Sequence, residues 1–144
     1  MSMDVIQGDV LRWYGGKTVV SGAASTVIAG PFDLLRYKDK SFSLYNYGAT
    51  TLSGAVIQVN PDHSGIAVDQ DVPLNDTAAD RPTINETMWH DFDTTSFRSM
   101  GSGDARSVAA QSNAIFRWWR IVGTVDNAGL ANATVSGWMY ARTV

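Results

Sequence analysis

The chain has 144 residues, 44% apolar and 17% charged, with 13 Gly, 4 Pro and no Cys; this is the make-up of one domain, residues 1–144, around one core. Without cysteine, thiol catalysis, disulfides and iron–sulfur clusters are excluded, and a formal charge of -3 disfavours a protein built to grip a phosphate backbone. No apolar run nears the roughly 20 residues that span a bilayer, and the amino terminus carries Asp4 instead of the basic and apolar regions of a signal peptide. The chain is therefore expected to be made in the cytosol, with neither nucleic acid nor membrane as its partner.

In chain order, residues 1–8 carry Val5 and Ile6 and read as an arm able to add a strand to a neighbour. Residues 10–14, 17–21, 25–29 and 34–37 read as short strands broken by Gly15, Gly16, Gly22 and the Gly30-Pro31 pair. Alternation is clearest over residues 41–47, where Phe42 and Leu44 share one face while Ser43, Tyr45 and Tyr47 share the other. Asn46 and Gly48 close that run. In 54–60, Ala55, Ile57 and Val59 oppose Val56, Gln58 and Asn60, and Pro61 and Asp62 end the strand with turn chemistry.

Residues 66–68, 87–92 and 95–98 are weaker strand candidates, and 104–111 is the best helical one, although short and flanked by Gly101 and Gly103. In 114–123 both faces are apolar in bulk, which predicts a central strand with Arg117 and Arg120 laying their stems on apolar surface. Residues 133–142 alternate again and are expected to form a hairpin with the preceding strand. Eight to eleven short strands with frequent breaks predict an all-β fold, an antiparallel two-sheet β-sandwich of jelly-roll type.

Charge is segregated along the chain. Residues 60–93 hold Asp62, Asp69, Asp71, Asp76, Asp80, Glu86, Asp91 and Asp93 against the single base Arg81, a local charge of -7, and the remainder carries +4. A solvated acidic loop is the plain reading; docking of Asp69, Asp71, Asp76 and Asp80 on a basic face of a partner is the functional one.

Chemistry-bearing motifs are sparse. His63 and His90, each beside an aspartate, form the one pairing that fits a two-histidine, one-carboxylate metal set, but nothing in their spacing requires them to meet. Asp69 with Asp71, and Asp76 with Asp80, lack the ligand set of a calcium loop. No phosphate loop, nucleophile elbow or His-Glu-x-x-His occurs, and Glu86, Asp91 and Asp93 are the carboxylates open to a glycosidase reading. No enzyme activity and no cofactor are expected. Aromatic residues are the more telling group. On strands they are mostly core, with a sugar-stacking platform or an interface anchor as the alternative where Trp119 or Tyr140 points outward.

Four pieces in this order carry a resemblance: Ser41-Phe42-Ser43-Leu44-Tyr45-Asn46-Tyr47-Gly48, Val56-Ile57-Gln58-Val59-Asn60-Pro61-Asp62, Phe116-Arg117-Trp118-Trp119-Arg120-Ile121 and Ala133-Thr134-Val135-Ser136-Gly137. Together they resemble small virion structural proteins of tailed bacteriophages, especially capsid decoration (cement) proteins. The acidic insertion after Asp62 departs from the commoner pattern. The resemblance implies a non-enzymatic protein located on the virion. It would bind the major capsid protein on the outer capsid surface, as a homo-oligomer such as a trimer, and fasten neighbouring subunits. A phage tail or baseplate module and a carbohydrate-binding module are the alternatives.

Overall fold

The computed structural model describes residues 10–22, 25–62, 84–111, 116–125 and 132–143. Among them are eight strands: β1 (Val10–Val20), β2 (Thr26–Asp33), β3 (Asp39–Asn46), β4 (Gly54–Asn60), β5 (His90–Asp93), β6 (Ala105–Gln111), β7 (Trp118–Thr124) and β8 (Ala133–Arg142). They form two four-stranded sheets, ordered β1-β8-β3-β6 and β2-β7-β4-β5, with every described pairing antiparallel. That is the strand order of a jelly roll, in which the chain crosses between sheets at every connection except β4 to β5. The expected sandwich is what forms.

Period-two patterning decides which side chains fill the space between the sheets. Phe42 and Leu44 of β3, Ala55, Ile57 and Val59 of β4, and Val135, Met139 and Ala141 of β8 all point inward and are buried. From β7, Trp119 stacks on Phe42 with ring centroids 6.0 Å apart and meets Phe92 edge-on at 4.9 Å. Trp13 of β1 meets Phe32 of β2 edge-on at 5.0 Å, joining the two sheets. The fully buried members of this set, such as Phe32 and Phe42, each contribute roughly 1.5–3 kcal/mol. Buried asparagines seal strand ends: Asn46 donates to the carbonyls of Thr50 and Met100 and accepts from Gly48 N, so no polar atom of its amide is left without a partner.

Several expectations are corrected. The candidates 10–14 and 17–21 merge into one strand that ends at Val20, because Gly16, at φ 65, lets β1 bulge between Tyr14 and Lys17 and resume its pairing with β8. The helical candidate 104–111 is strand β6, paired along its length with β3 from Asp39↔Gln111 to Tyr45↔Ala105. An isolated helix this short is marginal, and a full ladder outweighs its propensity. β8 makes no hairpin with β7: it lies in the other sheet, between β1 and β3. Residues 34–37 form a turn in which Tyr37 N donates to Leu34 O. Residues 95–98 also turn, because the Asp93 carboxylate accepts from Thr95 N, Ser96 N and Ser96 Oγ. Partial burial pushes the Asp93 carboxyl up, but these three bonds outweigh it and hold its pKa below the ordinary value. The strand expected over 66–68 lies outside the described residues.

Candidate functional site

Two surfaces of the sandwich carry side chains that the core does not use. The first is the outer face of the β1-β8-β3-β6 sheet, where register stacks the residues into rows across the strands. One row reads Tyr14, Trp138, Ser43, Ser107, and the next reads Arg12, Tyr140, Ser41, Ala109. Tyr14, Trp138 and Tyr140 are 54%, 36% and 37% exposed, so three large rings sit on two adjacent strands in water. Tyr14 and Trp138 touch, with centroids 5.0 Å apart and planes inclined by 31°, and the Arg12 guanidinium lies 5.6 Å from the Tyr140 ring. These contacts hold the rings in place, a cation over a ring face being attractive by itself.

Beside the rings the surface drops, because β3 and β6 present only Ser41, Ser43, Ser107 and Ala109. A hollow of about 460 Å³ is lined by Arg12, Tyr14, Ser41, Ser43, Trp138 and Tyr140 among others. A second, of about 220 Å³, shares Ser41 and Tyr140 with it and continues toward Asp39, Ala109 and Arg142. Ser43 Oγ and Ser107 Oγ are hydrogen-bonded at 2.7 Å, and Arg142 Nε donates to Asp39 Oδ2 at 3.1 Å. Among the described residues Arg12 makes no ion pair.

The second surface is the outer face of the β2-β7-β4-β5 sheet. Trp118 points outward from β7 yet is only 1% exposed, because Ile84 and Trp89 pack over it as a small second core. Around it the chain ties a knot. Asn60 Nδ2 donates to Asn85 O at 2.9 Å, Asn60 Oδ1 accepts from Asp62 N at 2.9 Å, and Asp62 Oδ2 accepts from Asn85 N at 2.7 Å. The Trp118 indole N–H donates to Asp62 O. Arg120 completes the cluster, lying 4.1 Å from the Trp89 ring centroid and donating to Gln58 Oε1 at 2.9 Å and Glu86 Oε2 at 3.3 Å. Burial lowers the Arg120 pKa and Glu86 opposes that shift, so the group remains a cation. Asp62 and Asn85, which lie on either side of residues 63–83 in the sequence, are therefore held together at one place on this face.

Of the residues singled out from sequence, Tyr140 stands on the exposed ring face. Trp119 does not: it is 0% exposed and faces Phe42 between the sheets, so it offers no surface to a sugar or a partner, and that assignment is corrected. Val5, Ile6, His63, Asp69, Asp71, Asp76 and Asp80 lie outside the described residues. His90 is exposed on β5, and among the described residues no group of three or more metal-ligating side chains forms. Tyr14 and Trp138, which belong to the aromatic group expected on strands to be mostly core, stand on the same exposed face; both share their parity with polar neighbours, Arg12 in β1 and Ser136, Tyr140 and Arg142 in β8.

No protein family and no curated protein matches the chain. Among solved structures, one of disulfide-linked pili that form Bacillus endospore appendages is similar over 94% of this chain and 88% of its own, with 14% identity and a TM-score of 0.40. The fold assignment rests on the strand order and not on that likeness.

Proposed function

We propose that the protein is a non-catalytic virion structural module that binds the outer surface of a capsid and fastens neighbouring subunits. The observation that carries this reading is the knot of Asn60, Asp62, Asn85 and Trp118, which ties together, on one face of the sandwich, the residues that flank an acid-rich stretch in the sequence. That stretch, residues 63–83, has four acids and one base. Flanking residues joined to each other on a packed base lower the entropic cost of seating the stretch between them on a partner, and its charge steers it toward a basic surface. Modest contacts of this kind are amplified when many copies bind a symmetric lattice.

The test is co-sedimentation with purified capsids, and separately with purified tails, across a salt series. Wild-type protein is expected to pellet with capsids at low salt and progressively less as salt rises. Changing Asp69, Asp71, Asp76 and Asp80 together to Asn is expected to weaken binding by about tenfold or more, with the melting temperature unchanged. Pelleting with tails alone would move the protein to the tail; binding indifferent to salt and to the four substitutions would overturn the reading.

A further inference from the structure

We infer that the outer face of the β1-β8-β3-β6 sheet is a saccharide-binding site, taking an oligosaccharide whose pyranose rings lie along Tyr14, Trp138 and Tyr140. Exposed rings scattered singly need no explanation, but contiguous ones do. Here the pairing of β1 with β8 sets Tyr14 directly opposite Trp138, and Tyr140 follows two residues along on the same face. The rings are held by one another and by Arg12, so little side-chain freedom remains to be lost on binding.

The polar lining selects the ligand. A pyranose presents C–H bonds on its faces and hydroxyls at its edges; the C–H faces suit the negative face of an aromatic ring, and the hydroxyls need donors and acceptors beside it. Ser41 and Ser43 line the hollow next to the rings, and the Arg12 guanidinium, which makes no ion pair among the described residues, stands at its other side. An apolar protein surface seated here would strip water from these groups without replacing it. A second copy packed by a two-fold axis would bring the cations Arg12 and Lys17 of both copies into one patch. A nucleic acid would call for a larger basic excess than this face carries. The hollow of about 460 Å³ falls within the range that small-molecule sites occupy. It lies across the sandwich from the knot at Trp118, so it stands or falls apart from capsid binding.

Affinity electrophoresis and calorimetry with cellohexaose, chitohexaose, xylohexaose and maltohexaose, on the full chain, test the site. At least one of these is expected to bind, and Tyr14→Ala, Trp138→Ala and Tyr140→Ala are each expected to weaken it by about tenfold or more, whereas Trp138→Phe stays within a few-fold of wild type. Ser43→Ala is expected to weaken it less. Wild-type protein supplies a readout independent of folding: the bound sugar should shield Trp138 from oxidation by N-bromosuccinimide. Absence of binding to all four sugars, or binding that survives Trp138→Ala and Tyr14→Ala and leaves Trp138 open to oxidation, overturns the site.

Discussion

The Trp118 indole N–H donates to the backbone carbonyl of Asp62, linking a central strand of one sheet to the last described residue before the acid-rich stretch. Trp118 also packs under Ile84 and Trp89, so one side chain supplies both a hydrogen bond and the floor of a small core. Replacing it by Phe keeps most of the apolar contact and removes the donor. The expected cost is about 1–2 kcal/mol in a urea titration, against about 3–5 kcal/mol for Trp118→Ala, which also empties the space under Ile84. Equal stability of Trp118→Phe and wild type would mean that the bond contributes nothing to the knot.

Lys40 carries a pH dependence of its own. It points inward from β3 and is buried; its Nζ donates to Tyr37 O at 2.6 Å and lies 5.0 Å from the Trp119 ring centroid. Burial lowers its pKa below the ordinary 10.5, with neighbouring Asp39 opposing the shift. The folded protein thus releases this proton at a lower pH than the unfolded chain does. Between the two values the unfolded chain binds more protons, so stability from this group rises with pH toward 10.5. Lys40→Met lacks that rise. Urea midpoints of the two proteins measured from about pH 7 to about pH 9.5 should shift in favour of wild type as pH increases. Parallel curves would show that Lys40 titrates normally.

Much of the sandwich was legible because period-two patterning is local. Ala55, Ile57 and Val59, and Val135, Met139 and Ala141, declare their faces without reference to any other strand. What local patterning lacks is the identity of the neighbour. β7 and β8 are consecutive and both alternate, yet β8 pairs with β1 and β3 in the opposite sheet, so adjacency in sequence is not adjacency in space and no hairpin forms. The ring face was hidden for the same reason: Tyr14 and Trp138 meet only because the two ends of the chain form one ladder. Parity also fails to separate inside from outside where both faces are bulky. Trp119 is inward and Trp118 outward, yet both are buried, because Ile84 and Trp89 fold back over the second. Residues 104–111 illustrate the remaining case, a sequence acceptable to a helix that seven residue pairs with β3 hold extended.

Gly30 and Gly103 separate two demands that glycine meets. Both have positive φ, 87 and 79, where an L side chain costs about 1–2 kcal/mol. At Gly103 a Cβ would meet no heavy atom within 4 Å, so the backbone term stands alone. At Gly30 the same atom would lie 2.6 Å from Trp119 O and 3.2 Å from Arg120 Cα. These are backbone atoms of β7, a strand paired on both sides by β2 and β4 and unable to retreat without breaking a ladder. Gly103→Ala is therefore expected to lower the melting temperature by about 3–6 °C, since about 1 kcal/mol moves a domain of this size by a few degrees. Gly30→Ala is expected to lower it by more than about 10 °C or to prevent folding, as overpacking adds to the backbone term. Thermal melts followed by circular dichroism compare the two directly, and equal losses would mean that β2 yields at Gly30 and that its approach to Trp119 imposes no constraint on the sheet.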